Sequence, residues 1–173
     1  MRKLLDKIIH ANGGNNWWKL DLFLKNTRSQ LPKEIEILKD PPKKEDNYNC
    51  FIYALRLDGN KAVKEDCGGF IYSAFFQKLI NEGLLKNTDN PQKGDYIIYR
   101  NLKKYPEMIT HAGIVDSKNM IISKWSWGPL LKHKIFDVPE SYGSNISYVK
   151  SITKEKAVRL YEKFKKFNTK SAE

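Results

Sequence analysis

The stretch "PQKGDYIIYR" (Pro91–Arg100) marks the point where the chain changes character. Before it, apolar residues recur at helical spacing. After the Gly94-Asp95 turn they come in short aromatic and β-branched runs. "YIIYR" (96–100), "AGIVD" (112–116) and "MIISKW" (120–125) each predict a strand bounded by turn residues, and "KIFDV" (134–138) and "ISYVK" (146–150) predict two more.

Upstream, "RKLLDKIIHA" predicts a short amphipathic helix stopped by Gly13-Gly14, with His10 at its surface. "NNWWKLDLFLKN" is an apolar segment of unassigned type, and "LPKEIEILKDPPKKEDN" ends in a Pro-Pro loop. "CFIYALRL" reads as a helix with Asp46, Asn47 or Asn49 as its cap. "DCGGFIYSAFFQKLINEGLL" predicts a longer helix capped by Asp66, with Phe70, Ile71, Ala74, Phe75 and Leu79 on one face. "TKEKAVRLYEKFKKF" closes the chain as a helix burying Ala157, Val158, Tyr161 and Phe164. Helices first and an antiparallel sheet second define an α+β fold. The chain divides into a helical extension (1–45), a core (46–150) and a C-terminal helix (151–173) within one domain.

The 173 residues are enough for one core, and 40% apolar with 12% aromatic content excludes a disordered chain. No run is apolar for long enough to span a membrane, and the start lacks the pattern of a signal peptide. The expectation is a cytoplasmic product, delivered elsewhere only by lysis or a secretion machine. The net charge of +11 is carried far more by Lys than by Arg. It suits an anionic partner such as a wall polymer, a membrane surface or nucleic acid, and equally a solvated Lys-rich surface. Helix-turn-helix, RNA-recognition and zinc-finger signatures are absent from the sequence.

The two cysteines, Cys50 and Cys67, read as free thiols. With His111 and His133 they lack the short spacings of a zinc site, and no metal or organic cofactor is implied. Each is predicted at a helix start, where backbone N–H groups favour a thiolate, and either thiol has a plainer reading as a small buried hydrophobe. His111, at the mouth of the second strand, is the imidazole best placed to pair with a thiolate. Along the following strand Ser123 is the first candidate to orient that ring, with Lys124 beside it and His133 a further possibility. Trp125 and Trp127 read either as groove-lining or as packed at a sheet edge.

"PQKGDYIIYR", "THAGIVD" and "MIISKW" together resemble the central sheet of NlpC/P60-like cysteine peptidases, in the papain-like group that includes the CHAP amidases. The order Cys, Gly94-Asp95, His111 is the unpermuted one, and the resemblance covers roughly residues 46–150. "DCGGF" is the closer local match to the family's nucleophile. Cys67, however, lies only 27 residues before Gly94, which leaves no room for the helix that usually follows the nucleophile helix. Cys50 lies 44 residues before it. "NYNCFIYAL", "ISKWSWGP" and "VPESYG" also resemble a less characterised papain-like branch, which favours Cys50.

The resemblance implies a helical N-terminal half packed on a central antiparallel sheet. It also implies thiol-dependent hydrolysis or transfer at an amide bond, with Cys50 as nucleophile, His111 as its partner and Ser123 as orienting group. The implied substrate is a peptide or peptidoglycan-like molecule. The competing readings are a non-catalytic basic module binding nucleic acid or another anionic polymer, and an interaction protein whose cysteines are core residues.

Overall fold

The computed structural model describes residues 1–10, 20–43 and 46–168, without the side chains of His10, Leu20 and Asn26. The Gly13-Gly14 stop, the Trp17-Trp18 part of the second segment and the surface position of His10 lie outside that description. The described chain runs α1 (Arg2–His10) and α2 (Leu20–Leu22, continuing as tighter and wider turns to Gln30), then β1 (Glu36–Lys39). Next come α3 (Cys50–Ala54), α4 (Lys61–Asp66) and α5 (Ser73–Asn81). Strands β2 (Tyr96–Arg100), β3 (Ile109–Ser117), β4 (Met120–Lys124), β5 (Leu130–Lys134) and β6 (Asn145–Val149) follow, and α6 (Lys154–Phe164) is last.

The strands form one six-stranded sheet in the order β1-β5-β4-β3-β2-β6, with every pairing antiparallel. Helices and an antiparallel sheet make this a mixed α and β fold. The sheet is covered on both faces, which is why "YIIYR" reads as a continuous apolar run rather than an alternation. Tyr96 and Ile98 pack under α3, α5 and α6 with Phe51, Phe75, Phe76, Leu79 and Tyr161. Ile97 and Tyr99 point the other way, to Leu5, Ile8 and Ile9 of α1 and to Trp125, Leu131 and Val138.

Three expectations need correction. The strand expected at "KIFDV" lies one step earlier, at Leu130–Lys134, where Leu131 and His133 face the core and Ile135 and Phe136 already form a turn. An edge strand, Glu36–Lys39, pairs with it. The helix expected from Asp66 begins only at Ser73, and Asp66 instead ends a separate helix, α4, that the sequence did not predict. Gly68 and Gly69 adopt positive φ (60° and 74°) between the two. Asp66 is therefore no cap; its carboxylate accepts a hydrogen bond from the Tyr161 hydroxyl at 2.8 Å. Phe76, rather than Ala74, completes the buried face of α5.

Helix α1 also anchors the loop before β6. The Arg2 guanidinium donates to the carbonyls of Val138 (3.1 Å) and Pro139 (3.2 Å) and also to that of Gly143. The Asp6 carboxylate accepts from the Ser141 hydroxyl at 2.6 Å and from its N–H. This loop turns at Gly143, whose φ of 84° and ψ of 175° suit glycine alone. A Cβ there would stand 2.0 Å from the Arg100 carbonyl oxygen. Gly143→Ala should therefore cost about 2 kcal/mol or more. Thermal denaturation should show Tm lowered by roughly 4–8 °C.

Candidate functional site

Cys50 opens α3, and its position is fixed by the asparagine before it. The Asn49 side-chain oxygen accepts from the N–H of Ile52 (3.3 Å) and of Ile71 (3.4 Å), and its amide donates to the Ile71 carbonyl at 2.7 Å. The Asn49 N–H donates in turn to the Gly69 carbonyl at 3.1 Å. Gly69 passes so close that a Cβ would lie 2.3 Å from the Asn47 carbonyl oxygen. The "DCGGF" segment is thus the buttress of the "NYNC" segment, and the two cysteine motifs form one structural unit.

Cys67 itself ends a helix instead of starting one. It is the residue after α4, and its thiol lies 3.7 Å from the Lys64 carbonyl as a donor. A helix C-terminus presents carbonyl oxygens, which oppose a thiolate. Burial raises the pKa of this half-buried thiol, against the opposing effect of the Gly69, Phe70 and Cys67 N–H groups and the Tyr161 hydroxyl.

At Cys50 the surroundings are mixed. The residue is only 5% exposed, and burial pushes its thiol up to about 11. Against this, the nearby backbone N–H groups of Ala112, Cys50 and Phe51, and after them the Lys124 ammonium, favour its ionised form. Ala112 is available because β3 and β4 part company there. Their ladder runs only from Ile114↔Ile122 to Ser117↔Met120, and residues 109–113 pair with β2 alone. Helix α3 has five residues, so these local donors act on the sulfur rather than a long helix dipole.

Lys124 follows Ser123 on β4 and points to the Cys50 side of the sheet. It is 1% exposed. Its ammonium donates to the Gly128 carbonyl and sits 4.6 Å above the centre of the Tyr48 ring. Among the described residues it has no carboxylate in ion-pair contact. Desolvation brings its pKa down to about 7, opposed by the negative charges of Cys50 and Asp58.

His111 is fully buried on the other side of β3, opposite Tyr99. Its ring stacks on Tyr142 at 4.0 Å between centres, and neither ring nitrogen has a hydrogen-bond partner. The structure therefore does not join Cys50 and His111 by a hydrogen bond. Burial, aided by His133, holds the His111 pKa well below the usual imidazole value. Ser123 does not orient it either. The Ser123 hydroxyl meets His133 Nε2 at 2.8 Å, while His133 Nδ1 lies 2.7 Å from the Lys134 carbonyl. A carbonyl only accepts, so Nδ1 carries the proton and the serine donates to Nε2. Burial keeps this imidazole neutral, with a pKa of about 4.

Tyr142 was not singled out from the sequence, although it lies in the "VPESYG" stretch. Its buried hydroxyl has no hydrogen-bond partner, with the Ser126 N–H nearby but outside bonding geometry, and the charge of an ionised Cys50 reaches it. The indole N–H of the fully buried Trp125 is unpartnered too. Trp127 lines a cleft of about 320 Å³ with Asn47, Lys61, Lys64 and Gly69, and the amide nitrogen of Asn47 is itself buried without a partner. A cleft of about 430 Å³ at the β3–β4 turn, lined by Lys93, Lys118 and Tyr148, contains none of the candidate residues. Among the described residues no three His, Cys, Asp or Glu converge to hold a metal ion, and no helix is long and apolar enough to cross a membrane.

The partnerless polar groups of His111, Trp125 and Tyr142 in one layer, and the buried Cys50 with the buried Lys124 in the other, mark the end of the β3–β4 split as the chemically distinctive part of the molecule. Residues 40–150 match DUF7689, a domain of unknown function, and the chain belongs to that family. No curated protein and no solved structure matches the chain.

Two outcomes follow from the burial of these groups. Iodoacetamide at pH 7 should modify the half-buried Cys67 before Cys50. Cys50 should react roughly a hundredfold or more slowly than free cysteine, because so little of a thiol with so high a pKa is ionised. Mass spectrometry of the adducts reads the order. The buried imidazole of His133 has its folded pKa depressed from 6.5 to about 4, so the unfolded chain takes up the proton first. The stability this group provides is complete above pH 6.5 and is lost as pH falls towards 4, by about 3 kcal/mol. Urea denaturation between pH 7 and 4 should show the decline, and His133→Asn should make it shallower, leaving the part due to the buried His111.

Proposed function

We propose that the protein carries out thiol-dependent acyl chemistry at an amide bond, as a hydrolase or acyl transferase with Cys50 as nucleophile. The observation that carries this reading is the burial of Cys50 at the start of α3, against the face of the sheet on which the buried Lys124 lies, with the backbone N–H groups of Ala112, Cys50 and Phe51 nearby. Such donors stabilise a thiolate and then the oxyanion that forms when it attacks a carbonyl. The placement of the cysteine at a helix start against an antiparallel sheet supports the papain-like, NlpC/P60-type arrangement that the sequence resembles.

The reaction runs as follows in this reading. Cys50 loses its proton to a neighbouring neutral base and its sulfur bonds to the carbonyl carbon. The tetrahedral intermediate collapses, the amine leaves with the proton, and a thioester remains. Water, or an acceptor amine, then takes the acyl group. Two buried groups are neutral enough near pH 7 to accept a proton, but only Lys124 lies on the Cys50 side of the sheet, whereas His111, the partner expected from the sequence, faces the other layer. The 320 Å³ cleft lined by Trp127, Asn47 and Gly69 adjoins the segment that carries Cys50 and gives a substrate a place to lie. A peptide or a peptidoglycan stem peptide is the substrate in this reading, and the positive charge suits an anionic polymer around it.

A second reading is favoured by the sealed, protonated state of the Cys50 thiol: a non-catalytic basic module for nucleic acid or another anionic polymer. The test is incubation with isolated peptidoglycan stem peptides and with a mixed peptide library, followed by mass spectrometry. Amide cleavage or transfer is expected, reduced at least about a thousandfold in Cys50→Ala. Absence of any product, together with salt-sensitive binding to DNA or RNA, would establish the second reading instead.

A further inference from the structure

We infer that Lys124, rather than His111, is the cation that pairs with the Cys50 thiolate. This rests on the reading of Cys50 as a nucleophile and names the group that ionises it.

The geometry separates the two candidate partners. Side chains alternate along a strand, so Ala112 faces Cys50 while its neighbour His111 faces Tyr99 and Tyr142. The same alternation on β4 sends Ser123 to His133 and Lys124 to the Cys50 side. Lys124 is held there at its tip by the Gly128 carbonyl and along its side by the Tyr48 ring, two residues before Cys50. A buried ammonium without a carboxylate is expensive to keep. The charged and titratable groups that face it are Cys50 on α3, Asp58 in the loop after α3, and Tyr48, while Tyr142 flanks Cys50. Of these, Cys50 is the acid with the largest charge interaction with the amine. Asp58 contributes less and makes no ion pair among the described residues. The exchange balances simply: the thiol gives its proton to the neutral amine, leaving a thiolate and an ammonium, and the ammonium later returns a proton to the leaving amine.

This pairing has a signature that a lone thiol lacks. Starting from thiol plus ammonium, loss of one proton gives either thiol plus amine or thiolate plus ammonium. The two forms carry the same number of protons, so their ratio does not vary with pH. Thiolate reactivity should rise as the first proton leaves, near the Lys124 pKa of about 7, then level off, and rise again towards the thiol's own value of about 11.

The experiment is the rate of Cys50 alkylation by iodoacetamide from pH 5 to 10.5 in a Cys67→Ala background, read by mass spectrometry. Near-ultraviolet circular dichroism confirms that each variant is folded. The expected wild-type profile has two limbs. Lys124→Met should lose the lower limb and react at least tenfold more slowly at pH 8. Lys124→Arg, permanently charged, should show one limb at lower pH than Lys124→Met. His111→Gln should keep the wild-type shape within twofold.

Loss of the lower limb in His111→Gln but not in Lys124→Met would overturn the inference in favour of the imidazole. A single high-pH limb in the wild type, superimposable on Lys124→Met, would overturn it as well. Should either lysine variant fail to fold, the other decides, and ¹⁵N detection of the Lys124 amine across the same pH range gives an independent reading in the unsubstituted residue. A two-limbed profile in a protein that cleaves no amide would leave the pairing in place while removing the proposed activity.

Discussion

The constraint on which the rest depends is the burial of the sheet on both faces. A strand such as β2 must supply apolar side chains to two layers at once, and Tyr96, Ile97, Ile98 and Tyr99 do so without a polar interruption. Covering one face are α3, α5 and α6; covering the other are α1 and the loop near Val138. Each polar side chain on the inner strands must then find its partner inside the protein or go without. The Ser123–His133 pair is the satisfied case. His111 with Trp125 and Tyr142 is the unsatisfied one, and Lys124 is satisfied only by a carbonyl and a ring.

The same constraint shapes the chemistry around Cys50. Burial disfavours both members of a thiolate–ammonium pair when each is considered alone, which is why the thiol is pushed up and the amine down. Forming both charges together cancels much of that penalty, since each stabilises the other in the same low-dielectric space. The backbone donors near the sulfur add to this without titrating. In the proposed pairing, the neutral and the charged forms are therefore two tautomers of one arrangement, needing no displacement of the strands.

The sheet was legible in its central strands because "YIIYR" and "MIISK" are bounded by turn residues and rich in β-branched and aromatic side chains. The fifth strand was misplaced because "LLKHK" mixes two lysines with its apolar residues, while the following "KIFDV" alternates more cleanly and is a turn. The break between α4 and α5 was hidden because Gly68-Gly69 sit inside an apolar run, and only their positive φ shows a turn there. Of the site, Cys50 at a helix start was readable from its asparagine caps. The partners were not, because neighbours on a strand point to opposite faces. His111 and Ser123 were assigned by their residue type, whereas the face that each residue occupies is a property of the folded sheet. Tyr142 reaches His111 from a loop 31 positions along the chain, a contact that no local pattern contains.

Helix α1 extends the buried unit of this chain beyond the segment that matches the family. The DUF7689 match begins at residue 40, yet Leu5, Ile8 and Ile9 fill the outer layer over Trp125, Leu131 and Val138, and Arg2 and Asp6 hold the loop that carries Tyr142. The matched segment is thus smaller than the unit that buries itself in this chain. Tyr142 and His111 both lie inside the segment, but the clasp that holds their stack in place reaches in from outside it.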